Sequence, residues 1–358
     1  MILPYRKVRN ILSARWSIAW HRRTVTTTPI VAFLEVSNVC NIRCQMCATT
    51  FDPRFQKGSG YTGLMDILVL DHLQPILPGL WRAYLMGNGE PLLNPHFLDF
   101  ARRLKQHKAE IQFNTNGMLL TPEISEELVA MGADAIAISM DGADADTFNA
   151  IRRGADFDRV VANVKALNKI KTQKHTDKPQ LSMAVVALKD NYQQMPQLVQ
   201  LAKDLGMGHV HVESLMWQDD PEYQTYYQEH SLENFRDNAI GIIQDARIKA
   251  KDLRIGFSSS LLEDAIAEKP KGIPCWEPWT TMFVTWQGEI HPCCGSEQKM
   301  GNLLEQDIID IWNSNAYQQL RRDMIQGKVS EGCRICIKNQ RMKRVIPTFK
   351  QWIKKTIS

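Results

Sequence analysis

Three cysteines near the start of the chain have a spacing suited to an iron–sulfur cluster. Cys40, Cys44 and Cys47 follow the pattern C-x3-C-x2-C. Cysteine thiolates are the usual ligands of a four-iron cube, and three of them on one loop can hold three irons. The fourth iron is then open to a substrate or a cofactor. A structural zinc site usually takes four Cys or His ligands, and no such residue closely follows Cys47.

A second group of cysteines lies near the other end of the chain: Cys275, Cys293, Cys294, Cys333 and Cys336. The total of eight is even, but disulfide frameworks are typical of small secreted scaffolds rather than of a chain of 358 residues. Metal binding is therefore the better account of both groups. A zinc ribbon with four cysteines is the alternative for the second group.

The middle of the chain alternates short apolar segments with amphipathic ones, which predicts a parallel sheet of β-α units. Six strands are predicted, beginning near residues 31, 82, 111, 135, 181 and 209. The predicted fold class is therefore α/β, a partial (β/α)6 barrel similar to a TIM barrel. Sites in such sheets lie at the C-terminal ends of the strands, and the cysteine triad follows the first strand.

Composition divides the chain into five predicted segments. They are a basic amphipathic segment (1–30), the barrel (31–215), a linker or helical region (216–270), a small cysteine-rich domain (271–340) and a second basic amphipathic segment (341–358). Residues 217–230 are polar and Tyr-rich and are predicted to form a loop. A helix is predicted near residues 231–252.

Two polar segments at predicted strand ends strengthen the interpretation of the cysteine triad. They are Gly87-Asn88-Gly89-Glu90-Pro91 after the second strand and Ser139-Met140-Asp141-Gly142 after the fourth. With the triad, they resemble the radical S-adenosylmethionine (radical SAM) superfamily, which has Gly-Gly-Glu-Pro and Ser-x-Asp-Gly segments at these places. The resemblance implies SAM at the open iron, its reductive cleavage to a 5′-deoxyadenosyl radical, and hydrogen abstraction from a substrate.

The same resemblance implies roles for the segment after the second strand. Gly89 and Glu90 are expected to contact the ammonium group of SAM, since a carboxylate accepts charge-assisted hydrogen bonds. Gly87 lies just before this pair. Glycines at such positions let the backbone approach a ligand closely.

Other residues expected to bind SAM follow the third and fourth strands. Ser139 would contact the ribose or the carboxylate, and Arg152 the carboxylate, with Arg153 as the alternative. Asn116 lies where the family contacts ribose or substrate, although an Asx-type turn would also explain it. A solvated surface is the alternative for the two arginines.

The C-terminal cysteines resemble the SPASM/Twitch domain of radical SAM enzymes. The resemblance implies one auxiliary [4Fe–4S] cluster with Cys275, Cys293, Cys333 and Cys336 as ligands. Cys294 is then the spare cysteine, or it replaces Cys293. Four cysteine ligands leave no open iron, so a redox role is expected rather than substrate binding. Shaping of the substrate pocket is the alternative.

Three titratable residues alternate with valines on the sixth predicted strand. A period of two places His209, His211 and Glu213 on one face. If that face lines the barrel, one of them could act as a base or orient the substrate. They are the only candidates for catalytic residues, and an ordinary polar face is the alternative.

Composition sets limits on location and partners. The chain is 44% apolar and 23% charged, as in ordinary globular proteins, and its net charge of +4 does not predict a nucleic-acid partner. It has neither a signal peptide nor an apolar run of about 20 residues, which predicts a cytoplasmic protein. Both terminal segments combine Trp with Lys or Arg at helical spacing. They are expected either to dock on the barrel or to lie on an anionic membrane.

The main functional hypothesis is a radical SAM oxidoreductase that acts on a small molecule, such as a sugar, a cyclitol or a lipid-linked precursor. The alternative is modification of a peptide or a protein side chain. It is disfavoured because only 30 residues precede the first predicted strand, too few for a leader-binding domain. An alternative of another class is a non-catalytic iron–sulfur or zinc scaffold. A flavodoxin or ferredoxin is the expected electron donor.

Overall fold

The computed structural model describes residues 4–55, 59–217, 220–263, 273–330, 333 and 336. Ten strands occur within these ranges: β1 (Val31–Glu35), β2 (Arg82–Met86), β3 (Glu110–Thr115), β4 (Ala135–Ser139), β5 (Gln180–Ala187), β6 (His209–Ser214), β7 (Gly256–Ser259), β8 (Thr281–Val284), β9 (Glu289–His291) and β10 (Gly301–Asn302). They form one sheet in the order β10-β9-β8-β1-β2-β3-β4-β5-β6-β7.

The α-helices of the same ranges follow the strands and flank the sheet. They are α1 (Tyr5–Ala19), α2 (Ala48–Phe51), α3 (Leu68–His72), α4 (Phe97–Gln106), α5 (Pro122–Ala130), α6 (Ala145–Ile151), α7 (Phe157–Gln173), α8 (Met195–Asp204), α9 (Pro221–His230), α10 (Arg236–Asp252), α11 (Ser260–Glu263), α12 (Glu277–Thr280), α13 (Ile308–Trp312) and α14 (Asn315–Ile325). Short 3-10 helices lie at Pro53–Phe55, Leu77–Gly79, Pro91–Leu93, Tyr192–Gln194 and Glu233–Phe235.

The predicted fold class, a partial barrel of parallel strands, is confirmed. Strands β1 to β7 pair in parallel with their neighbours in the order of the chain. Strand β8 pairs in parallel with the other edge of β1, so that Val31 is opposite both Arg82 and Thr281. Strands β7 and β8 extend the six predicted strands. They lie in the segments predicted as a linker or helical region and as a cysteine-rich domain.

Alternation along the strands separates a packed face from a face inside the barrel. Ala32 and Leu34 are fully buried in the main hydrophobic core. Phe33 lies on the opposite face, where its ring stacks on Tyr84 with centroids 4.6 Å apart. A period of two therefore places Glu35, at the end of β1, inside the barrel as well.

The prediction of a loop over residues 217–230 is wrong, because α9 occupies most of that segment. The Asp220 side chain accepts a hydrogen bond from the Tyr223 N–H, and Pro221 occupies the first turn. Both are helix-start features. Tyr223 and Tyr227, four residues apart, are buried in a small cluster with Met46.

Helix α1 closes the barrel at the N-terminal ends of the strands. Its Ile11 and Ala14 pack with Ile30, Val31 and Trp81 in a separate small cluster. The segment before the first strand is thus helical and docked, as one of its two predicted arrangements requires. Among the helices of the described residues, none is both long and apolar enough to cross a membrane.

Candidate functional site

A cavity of about 510 Å³ lies at the C-terminal ends of the barrel strands. It brings together ten residues singled out from the sequence: Cys40, Cys44, Cys47, Gly87, Gly89, Glu90, Asn116, Ser139, Arg152 and Glu213. Residues separated by up to 173 positions therefore meet at one place. His209 and His211 are not part of the cavity wall.

Gly87 and Gly89 hold the loop that carries the cysteine triad, here called the cluster loop (residues 36–47). A Cβ on Gly87 would lie 1.8 Å from the Ser37 carbonyl oxygen, and one on Gly89 would lie 2.2 Å from that of Val39. The Gly89 N–H donates to Ser37 O at 3.2 Å, and the Glu90 N–H donates to Val39 O at 2.9 Å. The glycines thus permit close approach of another backbone segment, whereas the sequence predicts close approach of a ligand.

The far end of the cluster loop is held by the segment after α6. The Arg43 N–H donates to Arg153 O at 2.8 Å, and the Gln45 N–H donates to Ile151 O at 2.9 Å. The cluster loop is therefore tied by backbone hydrogen bonds to the segment after β2 and to the C-terminal end of α6. These bonds restrict the conformation of the loop.

The three thiols form a donor set that fits an iron–sulfur cluster. Burial raises the pKa of Cys40, and it raises the pKa of Cys44 to about 12. These thiols are therefore neutral until a metal binds, because coordination deprotonates a thiol. Within the described residues, no three His, Cys, Asp or Glu side chains are close enough to hold one metal ion. A cube instead takes one thiolate at each iron.

Glu90 is held by three hydrogen bonds inside the wall of the cavity. Its Oε1 accepts from Thr115 Oγ1 at 2.7 Å and from the Leu92 N–H at 3.2 Å, and its Oε2 accepts from the Asn116 N–H at 2.8 Å. Burial raises its pKa against the lowering effect of these bonds. The carboxyl is thus fixed in direction by its three hydrogen bonds.

Asn116 links the third strand to the cluster loop. Its Nδ2 donates to Asn41 Oδ1 at 2.8 Å and lies 4.0 Å from Cys40 Sγ. Its Oδ1 accepts from the Met118 N–H at 2.9 Å, which is the local turn considered from the sequence. Both observations give Asn116 a role in shaping the cavity.

Arg152 is a buried cation beside the second cysteine of the triad. Its Nε lies 2.7 Å from Asp141 Oδ2, and its Nη1 lies 3.8 Å from Cys44 Sγ. Although burial opposes the charge, Asp141 raises the pKa of Arg152 above its usual value. The guanidinium is therefore charged and oriented. Asp141, which sequence reasoning noted only as part of a motif, is the residue that orients it.

The cavity wall also contains residues that the sequence did not single out. Met86 ends β2, Val186 lies on β5, and Leu215 and Met216 follow β6. Tyr223 of α9 joins them, and its hydroxyl donates to Met216 O at 2.9 Å. The apolar character of these side chains gave no sign of a site, because the same residue types fill the core.

A chain of hydrogen-bonding side chains leads from the cavity into the barrel. Glu213 lines the cavity and bonds to His211 Nε2 through its Oε1. The Ser258 hydroxyl on β7 lies 2.6 Å from His211 Nδ1 and 2.8 Å from His209 Nε2. The three residues of β6 therefore share one face, as predicted, and Ser258 is the partner that the sequence did not indicate.

Three of the C-terminal cysteines, Cys275, Cys293 and Cys333, lie near one another. Cys275 precedes α12, and burial together with the nearby Glu277 raises its pKa. Its thiol interacts electrostatically with those of Cys293 and Cys333. Burial raises the pKa of Cys293 to about 12, whereas the adjacent Cys294 is an exposed residue.

Two curated proteins resemble this chain over most of its length. One is the tungsten-containing aldehyde ferredoxin oxidoreductase cofactor-modifying protein of Pyrococcus furiosus, 27% identical over 308 residues, which are 81% of this chain and 82% of the relative. The other is the AdoMet-dependent heme synthase of Methanosarcina barkeri, 27% identical over 337 residues, or 87% and 89%. Among solved structures, Streptococcus suis SuiB bound to the precursor peptide SuiA has a TM-score of 0.64. The match is 17% identical and covers 89% of this chain and 72% of SuiB, which shows a shared fold.

Family comparison covers both cysteine groups. Residues 275–337 match the SPASM domain, an iron–sulfur cluster-binding domain. Residues 34–216, half of the chain, match the radical SAM superfamily. A chain with both regions uses SAM, a [4Fe–4S] cluster that binds it, and auxiliary iron–sulfur chemistry. The chain belongs to the radical SAM superfamily.

Proposed function

We propose that this radical SAM enzyme modifies a side chain of a peptide or a protein. The size of the cavity carries the proposal. Its volume of about 510 Å³ lies within the range of about 300–1,000 Å³ typical of a site for one drug-sized ligand. SAM is itself a ligand of that size, so little room remains beside it. A substrate that inserts only its reacting group, as a peptide inserts a side chain, fits this space.

The mouth of the cavity supports an extended substrate. Met216 lines the cavity and is 47% exposed, and the next residue, Trp217, is equally exposed. The Trp217 ring packs edge-on against Tyr227 at 5.1 Å, which holds it in place. Exposed Met and aromatic residues are enriched at protein-binding surfaces. SuiB, which has the same fold, was solved with a precursor peptide.

The proposal assigns cofactor roles to the residues of the cavity. Cys40, Cys44 and Cys47 hold the SAM-binding cluster, and the loop of Gly87, Gly89 and Glu90 contacts the methionine part of SAM. Ser139, Asn116 and Arg152 bind its remaining polar groups. The auxiliary cluster is assigned to Cys275, Cys293, Cys333 and Cys336. When bound, these groups supply a 5′-deoxyadenosyl radical and a second one-electron centre.

Glu213 and the residues hydrogen-bonded to it are assigned to proton transfer. Glu213 lines the cavity and is the first member of a hydrogen-bonded series that continues through His211, Ser258 and His209. A base at this position accepts the proton that leaves a substrate O–H or N–H group when the adjacent carbon is oxidised. The proposal therefore includes an oxidoreductase reaction, with Glu213 as the base.

A small molecule is the second candidate for the substrate. The names of the two curated relatives favour it, because one is called a cofactor-modifying protein and the other a heme synthase. Such a substrate would have to share the cavity with SAM.

The test measures transfer of deuterium from a labelled substrate to 5′-deoxyadenosine. Cells of the organism that encodes the protein are grown on perdeuterated amino acids, and their extract is divided by dialysis into macromolecules and small molecules. Each fraction is incubated anaerobically with reconstituted enzyme, unlabelled SAM and dithionite. The deuterium content of the 5′-deoxyadenosine that forms is then measured by mass spectrometry. Deuterium transfer that is lost when either fraction is first treated with protease supports a peptide or protein substrate. Deuterium transfer that survives protease treatment, or no transfer from either fraction while SAM is cleaved, rules it out.

A further inference from the structure

Helix α1 carries an outward apolar stripe that is not buried in the hydrophobic clusters of the described residues. Tyr5, Leu12 and Trp16 lie on α1, and Trp20 follows it directly. These four side chains are between 50% and 77% exposed. Their spacing of seven, four and four residues aligns them along one side of the helix. A row of this kind differs from the scattered single apolar residues that are normal on a surface.

The opposite side of α1 is fully engaged with the barrel. Ile11 and Ala14 are buried against Ile30 and Trp81. Asn10 Nδ2 donates to Thr28 O at 3.0 Å and to Gly79 O at 3.1 Å. Docking on the barrel therefore does not explain the outward stripe, since it uses other residues. The helix is rigidly attached and presents a second apolar side to solvent.

The segment that carries the stripe is rich in basic residues and contains no acidic residue of its own. Residues 1–34 contain six Lys or Arg and no Asp or Glu, although the whole chain has 43 basic and 39 acidic residues. Arg6, Arg9, Arg22 and Arg23 are exposed. The Arg22 guanidinium lies 5.0 Å from the centre of the Trp16 ring, and Trp16 lies 6.0 Å from Trp20. The partner of this surface must therefore be both anionic and apolar.

An anionic lipid surface has that chemistry. Amphipathic helices with Trp and Leu on one side and Lys or Arg beside them lie in the headgroup region of anionic bilayers. Tryptophan favours this region because its ring is apolar and its N–H polar. The basic C-terminal segment is a poor cover for the stripe, because residues 332–358 contain eight Lys or Arg and no acid.

We propose that the exposed face of α1, with Trp20, Arg22 and Arg23, attaches this enzyme peripherally to an anionic membrane surface. The face lies at the N-terminal ends of the barrel strands, whereas the SAM cavity lies at their C-terminal ends. The attached enzyme therefore turns its active site away from the lipid. Its substrate arrives from the aqueous side, and the membrane fixes the place of the enzyme rather than supplying its substrate.

The test is sedimentation of the full-length reconstituted protein with vesicles of phosphatidylcholine, with and without phosphatidylglycerol. We expect binding to the anionic vesicles only, weakened by added salt. Trp16→Ser/Trp20→Ser should lower the partition coefficient at least tenfold. Arg6→Gln/Arg9→Gln should lower it by about 30-fold, since each basic residue near an anionic surface contributes about 1 kcal/mol.

Matched variants on another face control for general changes of charge and apolar surface. Ile248→Ser/Leu304→Ser removes two side chains that are 59% and 57% exposed, and Arg247→Gln/Lys251→Gln removes two charges from α10. Both should bind as the wild type does, and all variants should retain wild-type circular dichroism. The proposal is overturned if the α1 variants bind like the wild type, because another segment then carries the binding. It is also overturned if neutral vesicles bind equally well or if no vesicle binds.

Discussion

Replacing Gly89 with alanine should disturb cluster binding although the substitution adds one methyl group. A Cβ at this position would lie 2.2 Å from the oxygen, 2.5 Å from the nitrogen and 2.6 Å from the carbonyl carbon of Val39. Real Cβ contacts essentially never fall below 3.0 Å, so the Val39 peptide must move by about 0.8 Å. Cys40 is the next residue, and its thiol moves with that peptide.

The expected losses follow from this displacement. Overpacking costs about 1–3 kcal/mol, and loss of the Glu90 N–H bond to Val39 O adds about 0.5–1.5 kcal/mol. We expect the free energy of unfolding to fall by about 1.5–4.5 kcal/mol. Misplacement by about 1 Å in a reacting site reduces the rate by about 100-fold. We therefore expect 5′-deoxyadenosine formation to fall by about 10- to 100-fold, with less iron bound per chain.

The assay combines iron and sulfide content, 5′-deoxyadenosine formation under dithionite, and urea unfolding. Gly241→Ala in α10 is the matched control, because a Cβ there meets no atom within 4 Å. It should raise stability by about 0.5–1 kcal/mol and leave activity unchanged. Wild-type iron content and rate in Gly89→Ala would refute the reasoning, since the cluster loop would then not depend on the close approach.

Four further substitutions test other parts of the structure. Cys44→Ala should abolish SAM cleavage with the circular dichroism spectrum largely kept; retained cleavage would contradict the triad assignment. Cys336→Ala should lower iron content while some SAM cleavage survives, and unchanged iron would remove this residue from the auxiliary site. Glu213→Gln should preserve cleavage of SAM without substrate and reduce substrate turnover at least 100-fold; equal turnover would exclude it as the base. Lys7 is fully buried, and burial lowers its pKa to about 8 from 10.5, so the unfolded chain binds more protons between these pH values and wild-type stability rises with pH there. Lys7→Met should therefore stabilise the protein by about 3 kcal/mol at pH 7 in urea unfolding. That advantage should disappear toward pH 10.5, and a constant difference would contradict the assigned pKa.

Local sequence signals predicted the parts of the site that lie at strand ends. The β-α period gives the order of the strands, and parallel order brings their C-terminal ends to one edge. The cysteine triad, Glu90, Asn116, Ser139 and Arg152 could therefore be placed together from the sequence alone. Their joint presence in the wall of one cavity agrees with that reasoning.

Contacts between distant segments could not be predicted in this way. The fit of Gly87 and Gly89 against Ser37 and Val39 depends on the separation of two loops, which no local pattern encodes. Strand β7 has the sequence Gly-Phe-Ser-Ser, with a single apolar side chain and no alternation to detect. No local pattern therefore indicates that Ser258 is the partner of His209 and His211.

Because β1 pairs with both β2 and β8, the two cysteine-containing regions share one sheet and do not form independent units. The chain returns at residues 281–284 to complete the sheet that begins at residue 31. A fragment ending before this return would expose one edge of β1, with unpaired N–H and C=O groups next to the cluster loop. Domain exchange among relatives would therefore have to replace β8 together with its partner edge. Exchange of either cysteine-containing region alone would break the pairing of β1 with β8.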